Sequence, residues 1–365
     1  MHLQKLFLVN FKNYNEATLD FSSRFNCFVG NNGEGKTNLL DAIHYLSFCK
    51  SFFNAIDSQN IMHDAPFFMI QGEFLKNDKT EHVYCGLKRN EKKQFKRNQK
   101  EYSRLAEHIG LFPLVMISPM DVELITEGSE VRRKFMDSVI SQFDRDYLNK
   151  LINYNKALAQ RNSLLKSFSE SRKFDKDALE IWDMQLIPLG TEIYNKRNEF
   201  IKNFIPFFQK YYDFISGNKE TVSFSYDSRL KDQSFEMLLK DAVAKDRSIL
   251  YTSAGIHKDD LIFSIDNYPI KKFGSQGQQK SYLTALKLAQ FEYLKNIKNS
   301  TPVLLLDDIF DKLDETRVGR LMEIVGSDNF GQVFITDTHK ERIQKILNNL
   351  AVEFKIFDIK QGLIS

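Results

Sequence analysis

Gly30-Asn31-Asn32-Gly33-Glu34-Gly35-Lys36-Thr37 is a full G-x-x-x-x-G-K-[ST] phosphate loop, and its flanks decide how it is read. Residues 25–29, Phe-Asn-Cys-Phe-Val, are an apolar run of strand length. On the other side Leu39, Leu40, Ala42, Ile43 and Leu46 recur at helical spacing. A strand that delivers the loop and a helix that leaves it make the motif a phosphate cradle. The glycines let backbone N–H groups curl around an anion, and the helix N-terminus adds partial positive charge. Lys36 is then placed to reach the β- and γ-phosphates, and the Thr37 hydroxyl to ligate magnesium. Alone, the loop suits kinases, GTPases and transporters equally.

Such a loop requires a magnesium-side acid at the end of a buried strand. Residues 302–308, Pro-Val-Leu-Leu-Leu-Asp-Asp, supply one. Asp307 is the metal-side acid, and Asp308 is placed to orient or deprotonate an attacking water. The expected cofactors are ATP and Mg2+, with Lys36, Asp307 and Asp308 as the catalytic set. A third element opens an amphipathic helix over residues 278–297: Gly274-Ser275-Gln276-Gly277-Gln278. A hydroxyl and N–H groups at a helix start form a second anion site, distant in sequence from the first, with Ser275, Gly277 and Gln278 as its candidates.

The rest of the chain sorts around these motifs. Residues 3–11 and 18–21 alternate as strands, with Asn13-Tyr14-Asn15 as the turn between them. Further strands fit residues 67–74, 82–87, 114–117, 222–226, 261–265, 303–306, 332–336 and 354–359. From 131 to 167, Phe135, Val139, Phe143, Tyr147, Leu151, Tyr154 and Leu158 form one helical stripe. A second helical stretch, 179–212, is expected to break or bend at Pro188 and Pro206. The fold class is α/β: a mixed-sheet core whose halves are separated by a mostly helical insertion. The expected divisions are residues 1–120, 121–300 ending in the 278–297 helix, and 301–365.

At 365 residues the chain has ample core, and a net charge of +3 announces no global field for nucleic acid. Cys27, Cys49 and Cys85 lack ligand spacing and read as reduced thiols of a cytoplasmic protein. The longest aliphatic block, 303–306, is far too short to span a bilayer, so no membrane role is expected. Local charge is densest over residues 88–104, with Lys88, Arg89, Lys92, Lys93, Lys96, Arg97, Lys100 and Arg104 against Glu91 and Glu101. Asn98-Gln99 is its hairpin turn, and Phe95 and Tyr102 are interleaved. Lys92, Lys93, Lys96 and Arg97 are candidate contacts to a DNA backbone, nonspecific in sequence and sensitive to salt. Arg132, Arg133 and Lys134 are a second basic set that could equally face acids within the helical part.

The order of phosphate loop, long insertion, Ser-x-Gly-Gln signature and Asp-Asp strand resembles an ABC-type ATPase head of the SMC-like class. Within that class the chain resembles the RecF family of bacterial DNA replication and repair proteins along nearly its whole length. The blocks that carry the likeness are residues 8–52, 117–137 (with Ser118-Pro119-Met120-Asp121 and Arg132-Arg133), 154–166, 254–263, 274–289 and 303–314, together with Asn38 after the loop. The resemblance implies a lobe I core carrying a helical lobe II, and two heads that sandwich two ATP molecules. Gly30, Asn31, Asn32, Gly33, Glu34, Gly35, Lys36, Thr37 and Asn38 would hold the nucleotide in one subunit, and the partner subunit's Ser275 and Gly277 would meet its γ-phosphate. Asp311-Lys312-Leu313-Asp314 would be the D-loop. It further implies a weak DNA-dependent ATPase in the cytoplasm at the nucleoid, acting on double-stranded and gapped DNA as an ATP-dependent homodimer. RecR and RecO are the implied partners in loading recombinase at gaps.

Departures from the family pattern are local. Phe53 stands where the family often has arginine, and His339 or Asp337 competes for the switch position after the 332–336 strand. His257 reads as structural. A transporter subunit would carry L-S-G-G-Q and a glutamate at 308. A chromosome-organising ATPase would need long heptad arms. A nuclease-coupled ATPase would need a further acidic cluster.

Overall fold

The first hairpin turns at Lys12-Asn13, one residue earlier than the sequence suggests. β1 (His2–Phe11) pairs antiparallel with β2 (Tyr14–Asp20), so Tyr14 belongs to the strand and is buried. Asn15 and Glu16 are exposed in succession, which interrupts the alternation and hides the start of β2 from a period-two reading. This computed structural model describes residues 1–218, 220–310 and 315–365; the D-loop candidates Asp311-Lys312-Leu313-Asp314 lie outside them. The chain groups into two units: Met1–Asp121, Lys210–Asn218 and Gln276–Ser365 in the first, Val122–Gln209 and Lys219–Ser275 in the second.

In the first unit β3 (Phe25–Val29) runs into α1 (Lys36–Phe48) through the phosphate loop. β4 (Phe67–Lys76), β5 (Lys79–Lys88), β6 (Gln94–Arg97) and β7 (Lys100–Glu101) extend the N-terminal hairpin into an antiparallel sheet of order β2-β1-β4-β5-β6-β7. β8 (Leu114–Ile117) belongs to a second sheet, completed after the second unit.

That second unit holds α2 (Glu123–Thr126), α3 (Ser129–Phe143), α4 (Arg145–Ser171), α5 (Lys176–Ser216), β9 (Val222–Asp227), α6 (Phe235–Ile249), β10 (Asp260–Ile265), β11 (Tyr268–Pro269) and α7 (Ile270–Phe273), with the last turns of α5 grouping with the first unit. The single stripe expected over 131–167 is two helices. Asp144 ends α3 with an extended backbone and caps α4, its side chain accepting from Tyr147 N–H. In contrast, α5 runs unbroken through Pro188 and Pro206. Each proline forfeits one backbone hydrogen bond. Burial of Leu186, Ile193, Phe200, Phe204 and Phe208 along the helix offsets that loss. Two buried arginines brace this unit. Arg161 donates to Asp183, Asp246 and Thr252, and Arg197 donates to Asp137, the Tyr147 hydroxyl and the Ile256 carbonyl.

The chain then closes the first unit with α8 (Gln276–Lys298), β12 (Val303–Leu306), α9 (Glu315–Gly326), β13 (Val333–Asp337), α10 (Lys340–Leu350), β14 (Phe354–Lys360) and β15 (Leu363–Ile364). The second sheet has the order β15-β14-β3-β13-β12-β8, parallel except for the terminal β14–β15 pair. α8 groups with this unit, so the boundary expected at residue 300 lies at 275/276 instead. The helix is buried along most of its length, and its buried Lys287 ammonium sits 2.7 Å from Asp121 and donates to the Met116 carbonyl at the end of β8. One apolar core joins Leu6, Leu8, Phe68 and Ile70 of the antiparallel sheet, α1, and Phe28, Leu305 and Phe334 of the parallel one.

Candidate functional site

β3 lies between β13 and β14, the position that aims its C-terminal end at the phosphate loop. Gly30 N–H donates to the Asp337 carbonyl, and a Cβ on Gly30 would lie 2.2 Å from the Ile359 carbonyl oxygen, so only glycine leaves the strand here. Gly35 has φ 112° and would drive a Cβ to within 2.3 Å of the Asn13 side chain. That side chain is a clamp. Asn13 Nδ2 donates to the Glu34 carbonyl at 3.0 Å, and Asn38 Nδ2 donates to Asn13 Oδ1 at 2.8 Å. Tyr14 donates its hydroxyl proton to the Gly35 carbonyl at 3.0 Å. Lys36 Nζ donates to the Gly30 and Asn31 carbonyls at 2.7 and 2.9 Å, which holds its charge inside the loop, while Asn31, Asn32 and Gly33 are exposed. α1 is buried well beyond the predicted stripe, including Asp41 and His44. Asp41 pairs with Lys12 at 2.6 Å and accepts from the Ser51 hydroxyl and Phe52 N–H. Lys12 Nζ lies 5.3 Å from the Phe53 ring centre, so at position 53 an aromatic ring faces a cation supplied from the β1–β2 turn.

β12 delivers Asp307 and Asp308 beside this loop. Thr37 Oγ1 donates to Asp307 Oδ1 at 2.8 Å, joining the two motifs across 270 residues. Thr336, at the end of β13, donates to the same Asp307 oxygen at 2.9 Å and accepts Asp308 N–H at 2.8 Å. Thr336 lies in the expected 332–336 strand beside the switch candidates, and nothing in that pattern marks its bonds to Asp307 and Asp308. Asp308 has φ 44°, a left-handed conformation that costs a non-glycine residue but which Asp tolerates better than most. Burial pushes the Asp307 carboxyl up to about 6, against the hydrogen bonds from Thr37 and Thr336, with Asp308 nearby adding to the rise. The oxygens of Thr37 and Asp307 fit magnesium. Two neighbouring ligands of an octahedral ion with bonds near 2.1 Å stand about 3 Å apart, and both are the hard oxygens this ion selects.

At the candidate switch, Asp337 is buried and accepts Arg342 Nε at 2.9 Å and His339 N–H at 3.0 Å. His339 itself is exposed at the start of α10. His257 is neutral and structural in form: Nε2–H donates to the Thr252 carbonyl at 2.9 Å, Nδ1 accepts the Tyr154 hydroxyl at 2.8 Å, and burial lowers its pKa to about 4. The signature helix begins at Gln276, two residues before the expected start, which puts Ser275 immediately ahead of the helix and Gly277 and Gln278 in its first turn. The first four N–H groups of a helix have no partner within it.

The basic hairpin turns at Asn98-Gln99, both with positive φ. Its four candidate contacts divide. Lys93 is turned inward, donating to the Cys49 carbonyl and to Asp57, both at 2.6 Å, and lying 5.0 Å from the Tyr45 ring centre. Arg97 forms a two-pronged pair with Glu81 at 2.7 and 2.8 Å. Lys92 is exposed, and Lys96 is half-buried with its ammonium 5.5 Å from the Tyr84 ring centre. Phe95 is core, so it is not interleaved on the outer face. Arg132 pairs with Asp260 and Arg133 donates to Ser129 and the Asp259 carbonyl, so both face partners within the second unit. The three cysteines are buried thiols. No described helix is long and apolar enough to cross a membrane, and no further metal-binding acidic cluster occurs among the described residues.

Known proteins share this sequence pattern and this fold. A DNA replication and repair protein RecF from Flavobacterium johnsoniae is 54% identical over 359 residues, covering 98% of this chain and 100% of its own. A solved structure of the recombination mediator protein RecF of the RecFOR pathway with ATP superposes with a TM-score of 0.90 at 32% identity, covering 100% of this chain and 97% of that one. An Smc head domain from Pyrococcus furiosus, 16% identical, shares the fold with a TM-score of 0.58 across 100% of this chain and 95% of that one. Residues 2–362 match the RecF/RecN/SMC N terminal domain family, and with relatives this similar along their whole length the chain belongs to that family and to its RecF members.

Proposed function

We propose that this chain is an ATP-switched DNA-binding protein of recombinational repair. ATP closes two copies into a homodimer on double-stranded DNA near single-strand gaps, with RecR and RecO as partners in loading recombinase. The observation that carries the nucleotide part is the hydrogen bond from Thr37 to Asp307, which brings the phosphate loop and the acidic strand into one oxygen-lined site. The repair role and its partners rest on the names of the RecF relatives. Bound magnesium would supply a Lewis acid at the phosphates. The chain's own residues do the rest. Lys36 neutralises the β/γ-phosphates, Asp308 orients water, and the signature helix start presents Ser275 and Gly277 to the nucleotide of the other copy. With two helix N-termini on one triphosphate, ATP is the ligand that holds the dimer, and slow hydrolysis releases it. Lys92 and Lys96 remain the hairpin's candidates for backbone contact. The cellular place consistent with this role is the nucleoid.

The deciding experiment titrates duplex DNA with wild-type protein and a Lys36→Arg variant, with and without ATP and magnesium, while light scattering follows dimerisation. Wild type should dimerise and bind DNA more tightly with ATP, and the variant should do neither. DNA binding and dimerisation indifferent to both ATP and Lys36 would remove the clamp.

A further inference from the structure

Two large aromatic side chains stand in water just ahead of the signature. Tyr268 of β11 is 58% exposed and Phe273 of α7 is 61% exposed, and their ring centres lie 5.0 Å apart with the planes inclined at 46°. Lys271 and Lys272 between them are exposed as well, Lys271 reaching the Thr126 carbonyl. A contiguous exposed aromatic pair rimmed by cations is unlike the scattered single apolar residues of an ordinary surface; aromatics of this kind are enriched at interface centres. Its position decides what covers it. Phe273 precedes Ser275 by two residues, and a chain advances at most about 3.6 Å per residue, so their Cα atoms are no more than roughly 7 Å apart. Any surface that brings a triphosphate to the Ser275 hydroxyl therefore covers or borders the aromatic pair. We infer that Tyr268 and Phe273 anchor the ATP-closed dimer, packing on the nucleotide-bearing face of a second copy. The inference rests on the composite site proposed above. Charge suits the same occupant: Lys271 and Lys272 would be drawn to a face that carries a bound triphosphate.

The test uses sedimentation velocity on the full chain with magnesium and a non-hydrolysable ATP analogue. The double variant Tyr268→Ala/Phe273→Ala should weaken the dimer about 10- to 100-fold, as truncation of central aromatic anchors does. Its nucleotide affinity as a dilute monomer and its melting temperature should match wild type, because neither ring is buried. A Phe273→Trp variant should still dimerise and should show a nucleotide-dependent blue shift of emission beyond the signal of Trp182 in wild type. Dimerisation of the double variant at wild-type strength overturns the inference, even if DNA binding falls. An unshifted emission in a Phe273→Trp dimer overturns it too. Failure of the wild-type protein to dimerise would instead bring down the composite-site reading on which it depends.

Discussion

At the scale of single residues, the motif letters name the candidates for phosphate and magnesium, and long-range contacts name the groups that hold them in place. Lys36, Thr37 and Asp307 are legible as candidates because loop and strand patterns mark them locally. Asn13, Tyr14, Asp41 and Thr336 are not, because what matters about each is a partner 21, 10 or 29 positions away, and no periodicity records a pairing across such a distance. Asn13 is the sharpest case, since one amide both donates to the loop carbonyl and accepts from Asn38. An Asn13→Ala variant loses both bonds, together worth on the order of 1–2 kcal/mol, and should weaken ATP binding about tenfold by calorimetry with a fall of only a few degrees in melting temperature. Unaltered affinity would show that the loop holds its shape without the clamp. In the proposed mechanism Asp308 separates binding from chemistry. Asparagine keeps the size and tolerates the positive φ, so Asp308→Asn should retain nucleotide-driven dimerisation while hydrolysis falls at least about a hundredfold. Steady-state phosphate release checks this, and a rate near wild type would move the water-orienting role elsewhere.

Elements divide by whether their pattern is local. β3, β8 and β12 run over the residue ranges expected from their apolar blocks, because a wholly buried strand between polar turns leaves a sharp edge in sequence. Helix ends leave weaker marks in the sequence. An aromatic and aliphatic stripe continues past Asp144 although the backbone breaks there, and two prolines fail to break α5 because burial along it outweighs two lost hydrogen bonds. Charge on the β5–β6–β7 segment shows the same limit: a run of lysines and arginines does not reveal which of them turn inward. Lys93 should therefore behave as a core residue. Lys93→Met removes the cation that Asp57 shares with the Tyr45 hydroxyl and leaves the Cys49 carbonyl without its donor, and should cost about 1–3 kcal/mol in denaturant unfolding while the salt dependence of DNA binding stays as in wild type. Lys92→Gln with Lys96→Gln should do the reverse, leaving stability alone and flattening the slope of log K against log salt by about 1–2. An unchanged slope in that double variant would reduce the hairpin to a solvated face.

Across the whole molecule, three histidines are locked in neutral form, two in the first unit and one in the second. Burial lowers His44, His108 and His257 each to about 4. His108 shows how the neutral form is fixed: Nε2–H donates to the Leu46 carbonyl at 2.7 Å, and Nδ1 takes the Tyr102 hydroxyl at 3.1 Å, so neither nitrogen has room for a further proton without losing a bond. Because the folded pKa is below the unfolded value of 6.5, the unfolded chain takes up the proton first as pH falls. The stability each histidine lends is complete above about pH 6.5 and drains away between there and pH 4. At pH 5 the linkage amounts to about 2 kcal/mol per residue. Other groups move the total curve as well; burial raises Asp307, whose carboxyl binds a proton in the folded chain near pH 6 and so works the opposite way. The difference between wild type and a single variant isolates one histidine from these. Glutamine can keep both contacts, its amide donating to the backbone carbonyl and accepting the tyrosine hydroxyl, without titrating. His108→Gln and His257→Gln should each lose about 2 kcal/mol less stability than wild type between pH 7 and pH 5, measured by urea unfolding at both pH values. The two effects should add, because the residues sit in different units and share no partner. A variant that loses stability in parallel with wild type over that range would mean that its histidine is already protonated in the folded chain, and that the hydrogen bonds on its two nitrogens do not hold the neutral ring.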